Sequence, residues 1–117
     1  MDEVTLGIKT RAAAAITTPT WETLELRRTI ARTREEVAAL PLAPPEFERV
    51  NRWLDAASQE AAAEKPDRYE VGERLAAAAH TLKEAGALAG GTGVVQALRR
   101  AVVLLGPAGL ATIAPAL

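Results

Sequence analysis

Residues 67–86 read DRYEVGERLAAAAHTLKEAG, and this stretch carries a clear helical pattern from its first residue to its last. Asp67 and Glu70 have the spacing of an acidic capping box, which starts a helix by satisfying its first backbone N–H groups. Gly86 is suited to end or interrupt the helix. Between them, apolar residues recur at alternating steps of four and three and form one stripe: Val71, Leu75, Ala78, Leu82 and Ala85. The stretch therefore predicts an amphipathic helix with one buried face.

Two upstream segments repeat this spacing. The first runs from about residue 20 to 40 and the second from about 45 to 64. Their stripes are Leu26, Ile30, Thr33, Val37 and Leu40, and then Phe47, Val50, Leu54, Ala57 and Ala61. Proline and glycine predict breaks near residues 41–45, 65–67 and 86–93. Matched stripes on helices with short connections favour antiparallel packing.

A fourth helical segment, from about residue 92 to 105, is apolar on most sides. From residue 94 onward its only polar residues are Gln96, Arg99 and Arg100. A helix of this kind is normally buried on most sides. We therefore expect it to be the central helix of the bundle or the helix that meets a partner.

These segments predict an all-α fold, an antiparallel bundle of about four helices formed by residues 18–106. A short N-terminal arm, residues 1–17, precedes the bundle, and an uncharged apolar C-terminal tail, residues 107–117, follows it. The arm fits two structures: residues 4–8 alternate like a strand, whereas residues 11–16 have the composition of a helix.

Composition narrows the class of function. The 117 residues carry a formal net charge of −1, which argues against nucleic-acid binding because that function needs a concentrated basic surface. The chain has no cysteine, which excludes disulfides and zinc fingers and permits the cytoplasmic location that we predict.

We predict no catalytic residue, no cofactor-binding residue and no metal ligand. The glycine-rich run at residues 86–93 lacks the lysine that a phosphate-binding loop needs after its last glycine. His80 is the single histidine, and Ala77 occupies the position where a Glu-x-x-His metal motif would have its glutamate. A small enzyme with an unrecognised site remains an alternative.

The leading hypothesis is a non-catalytic module for protein–protein interaction or self-association, most simply a homodimer. From residue 85 to 117 the only charged side chains are Arg99 and Arg100, so this stretch cannot form a broad solvated surface. The candidate interface residues are Val95, Val102, Val103, Leu110, Ile113 and Leu117. Two alternatives stay open: the tail folds back onto its own bundle, or the uncharged residues 101–117 contact a membrane.

The order of segments resembles small helical proteins and helical modules of unknown function that are common in actinobacteria. The resemblance covers roughly residues 20–106, from the helix ending in Ala39-Leu40-Pro41 to the apolar helix ending in Leu104-Leu105-Gly106. It implies a bacterial helical adaptor or self-association module and assigns no functional residue.

Overall fold

The structure is a computed structural model that describes residues 21–89 and 92–117. This part of the chain forms five α helices and a final 3-10 turn, and no strand occurs in it. The helices are α1 (Trp21–Ala38), α2 (Pro44–Ala61), α3 (Arg68–Glu84), α4 (Thr92–Leu105) and α5 (Pro107–Thr112), and the turn is Ala114–Ala116. The all-α class and the three breaks are confirmed. The predicted arm at residues 1–17 lies outside the described residues.

Helix α3 begins at the predicted cap. The Asp67 carboxylate accepts hydrogen bonds from the backbone N–H groups of Tyr69 and Glu70, at 2.9 and 3.2 Å. The Glu70 side chain does not complete the capping box but lies 3.2 Å from Arg74, one turn further along. The cap therefore satisfies two of the donors that every helix leaves unpaired at its start.

Gly86 ends α3, as its position predicts. Its φ of 73° lies in the left-handed region that favours glycine. The N–H groups of Gly86 and Ala87 donate to the carbonyls of Lys83 and Leu82, at 3.0 and 2.9 Å, which is the Schellman pattern. Ala85, predicted to belong to the buried stripe, is exposed because it is the capping residue just beyond the last turn.

The core consists of one stripe from each long helix, largely as the periodicity predicts. Phe47 and Leu40, at the ends of their stripes, are half-buried. The fully buried members of the first three stripes include Ile30, Thr33, Val37, Val50, Leu54, Ala57, Ala61, Val71, Leu75, Ala78 and Leu82. Small residues on both sides, such as Ala57 and Ala78, allow α2 and α3 to form the most extensive helix contact of the structure.

Helix α4 is exposed along one side, at Gln96, Arg99, Arg100 and Val103, so the expectation of a central helix buried on most sides is not met. It packs chiefly against α1 and α5, and it touches α3 less. One face of α4 is buried, including Val94, Leu98 and Leu105, whereas the opposite side is exposed. Helix α5 packs against both α3 and α4.

Candidate functional site

The C-terminal tail returns onto the helices through a tight corner after α4. Gly106 has φ 64° and ψ −133°, a backbone conformation that residues with a Cβ rarely adopt. Helix α5 then lies directly on α4: a Cβ built on Gly109 would be 2.6 Å from the Val102 carbonyl oxygen and 2.7 Å from its Cα. Ala108 and Ile113 are buried by this packing. The alternative in which the tail packs on its own helices is therefore the arrangement that the structure has.

The six predicted interface residues fall into three groups. Ile113 is completely buried and belongs to the core, so its assignment to an interface is wrong. Leu117, Val95 and Val102 are half-buried, and Leu117 and Val102 pack against the core. Val103 and Leu110 are 69% and 64% exposed, more than any other large apolar side chain of the described residues.

Val95, Val102, Val103 and Leu110 form what we call the α4–α5 face. Because the Gly109 backbone touches Val102 and consecutive Cα atoms are about 3.8 Å apart, the Cα atoms of Leu110 and Val102 lie within about 8 Å. Gly106, one turn after Val102 and Val103, contributes no side chain that could separate them from Leu110. Leu110 on α5 and the three valines on α4 thus belong to the two helices that pack together here, and we group them as one candidate surface.

Polar residues lie within and beside this face on α4: Arg99 is one helical turn from each of Val95, Val102 and Val103, and Gln96 and Arg100 lie at the edge. Gln96, Arg99 and Arg100 are exposed and lie on the same side of the helix as Val103. Arginine and large apolar side chains together are the composition that protein interfaces favour.

A second surface, the α1–α4 groove, was not predicted. It has a volume of about 360 Å³. Its lining residues are Glu25, Arg28, Thr29 and Arg32 from α1 and Gly93, Gln96, Ala97 and Arg100 from α4. Because Glu25 near the start of α1 meets Arg100 near the end of α4, the two helices run in opposite directions across it.

The charged side chains of the groove are mostly arginines. Glu25 lies 2.7 Å from Arg28 and 3.7 Å from Arg100, so one carboxylate serves two guanidinium groups. Arg32 lies 4.0 Å from Glu36, whose carboxylate sits against Gly93 at the start of α4. The first turn of a helix attracts negative charge, which accounts for the position of Glu36.

The described residues contain no group of three or more histidine, cysteine, aspartate or glutamate side chains that could hold a metal ion. His80 is exposed on α3, beside a shallow depression that also includes Glu73 and Thr112. No helix in the described ranges is both long enough and apolar enough to cross a membrane.

A comparison of the chain with protein-family models, curated proteins and solved structures found no match. Function is therefore inferred from the two surfaces themselves.

Proposed function

We propose that this protein is a non-catalytic self-association module, an antiparallel bundle of four long helices that forms a homodimer through the α4–α5 face. A cytoplasmic location belongs to the same proposal and is permitted by the cysteine-free sequence.

The exposure of Val103 and Leu110 carries this proposal. At 69% and 64% exposure, both side chains leave most of their surface in contact with water in the isolated chain. Burying apolar surface yields roughly 25 cal/mol per Å², so covering both side chains favours association. A two-fold interface buries the same surface on each subunit, which makes a homodimer the simplest way to cover it.

The half-buried Val95 and Val102 extend the face along α4. The fold already covers part of each side chain and holds it in place. Their exposed parts add apolar area to the face. Arg99 lies among the valines and Arg100 lies at the edge of the face. The charged groups of both can stay hydrated while their aliphatic stems pack on the apolar side chains.

Light scattering coupled to size-exclusion chromatography tests the proposal. The wild-type chain should give the mass of a dimer at tens of micromolar. Val103→Glu and Leu110→Glu should each give a monomer with an unchanged helical circular dichroism spectrum, because both side chains are exposed in the single chain.

Trp53→Glu is the matched control. Trp53 is a large apolar residue on α2 that is 41% exposed and lies outside the α4–α5 face, so its replacement should leave the dimer intact. A monomer mass for the wild-type chain contradicts the proposal. Dissociation by Trp53→Glu, with no effect of Val103→Glu, would place the interface on another surface.

A further inference from the structure

In the second surface, the α1–α4 groove, one arginine joins the two helices: Arg100 on α4 lies 3.7 Å from Glu25 on α1. The charges of Arg28 and Arg32 have no such role. Other arginines hold helices together: Arg74 on α3 lies 3.0 Å from Glu60 on α2, and Arg27 donates to the Ala61 carbonyl at 3.1 Å. Arg28 and Arg32, by contrast, pair only within α1 among the described residues. Their side chains are 76% and 71% exposed, so the fold does not depend on them.

The balance of charge in the groove favours a negatively charged ligand. Three guanidinium groups, of Arg28, Arg32 and Arg100, line it together with one carboxylate, of Glu25. Glu36, the acid nearest to Arg32, lies at 4.0 Å and is held against the start of α4. The groove therefore has an excess of donors that bind carboxylates well.

The positions of these donors indicate an elongated ligand. Arg28 and Arg32 are one helical turn apart on α1, and Gln96 and Arg100 are one turn apart on α4. Side chains one turn apart on a helix are separated by about 5–6 Å, so acids at every fourth position of another helix repeat at the same interval. Arg28 and Arg100 converge on Glu25, whereas Arg32 and Gln96 lie one turn away on α1 and α4. The row of donors therefore extends further than a single small anion.

We propose that the α1–α4 groove binds a glutamate-rich helical segment of a partner protein, with Arg28, Arg32 and Arg100 contacting its carboxylates. Glu25 weakens this binding, because it offsets part of the positive charge of Arg28 and Arg100 in the unbound chain and repels an incoming acid. The Glu25 carboxylate would also repel a continuous phosphate backbone. A segment with spaced acids can place a neutral residue beside it. The groove shares Gln96 and Arg100 with the border of the α4–α5 face, but Arg28 and Arg32 lie on α1, outside that face, so the proposal does not depend on the homodimer.

Fluorescence anisotropy of the full chain tests it. The probe is a labelled 18-residue alanine peptide with glutamate at every fourth position, compared with the same peptide carrying glutamine there. The glutamate peptide should bind in 20 mM salt and lose affinity in 300 mM salt, since exposed charge pairs are screened. The glutamine peptide should not bind.

Substitutions then locate the site. The triple variant R28Q/R32Q/R100Q should weaken binding of the glutamate peptide by about tenfold, as expected for three exposed charge pairs. R49Q/R52Q/R68Q removes the same number of positive charges from other exposed positions and should change affinity less than about twofold. Glu25→Gln should tighten binding by about threefold, an effect that general loss of structure cannot produce.

Several results would overturn the proposal. These are equal binding of both peptides, an equal loss in the two triple variants, or competition by inorganic phosphate at low millimolar concentration. Equal competition by a single-stranded oligonucleotide would identify a nucleic-acid surface instead. A change in subunit mass caused by R28Q/R32Q, which leaves the α4–α5 face unchanged, would show that a second copy of this chain occupies the groove.

Discussion

Gly109→Ala tests the close contact that holds the C-terminal tail on the helices. The added Cβ would lie 2.6 Å from the Val102 carbonyl oxygen, 2.7 Å from its Cα and 3.0 Å from its carbonyl carbon. In protein structures, a Cβ atom essentially never comes closer than 3.0 Å to a non-bonded heavy atom of a distant residue. All three atoms belong to the backbone of α4, so no side-chain rotation can relieve the clash, and α5 has to move away from α4.

The magnitude follows from two opposing effects. Overpacking of a well-packed contact costs about 1–3 kcal/mol, and a clash with backbone belongs in the upper part of that range. Replacing glycine by alanine inside a helix returns up to about 1 kcal/mol, and less in a helix as short as the six-residue α5. We therefore expect a net loss of about 2 kcal/mol, which corresponds to a fall in Tm of about 8 °C for a domain of this size.

Thermal and urea unfolding followed by circular dichroism measure this loss. Ala111→Gly is the matched control, because Ala111 is exposed in the same helix and its replacement changes helix propensity without a clash. That control should cost less than about 1 kcal/mol. If Gly109→Ala is as stable as the wild-type chain, the contact between the backbones of α4 and α5 is refuted.

Two further predictions concern other contacts of the helices. Gly72→Ala should cost about 1 kcal/mol net, because its Cβ collides with the Thr112 hydroxyl while the helix propensity of α3 improves. Adding Thr112→Ala should restore most of the stability, and an unfolding curve in which the double variant is no better than Gly72→Ala would contradict this reason. Asp67→Ala should lower the unfolding free energy by about 1 kcal/mol through the loss of two capping hydrogen bonds, whereas Asp67→Ser should retain most of it. Equal losses in the two Asp67 variants would show that the cap does not stabilise α3.

The order of helices follows from local features of the sequence. The stripe from Leu26 to Val37 has the helical period, and a stripe of this kind must be buried wherever the helix packs. Asp67 and Gly86 act on backbone groups within a few residues of themselves, so their roles at the two ends of α3 depend on no distant contact. Such features were predictable without knowledge of the fold.

The candidate surfaces depend on contacts between distant parts of the chain. Leu110 and Ile113 are three residues apart in the same uncharged tail, yet Leu110 is 64% exposed and Ile113 is completely buried. The direction in which the chain turns at Gly106 decides which of the two side chains is buried. The apolar pattern of the eleven-residue tail does not reveal that direction.

The α1–α4 groove also depends partly on local sequence and partly on contacts between distant helices. Arg28 and Arg32 share one side of a helix because of their spacing, and this much is contained in the sequence. Arg100 joins them only because α4 packs against α1 in the opposite direction, 72 positions later in the chain than Arg28. Local sequence therefore determined which residues form each helix and which face of it is apolar, since these depend on neighbouring positions. Tertiary packing alone decided which of those faces remain exposed and which arginines share a groove.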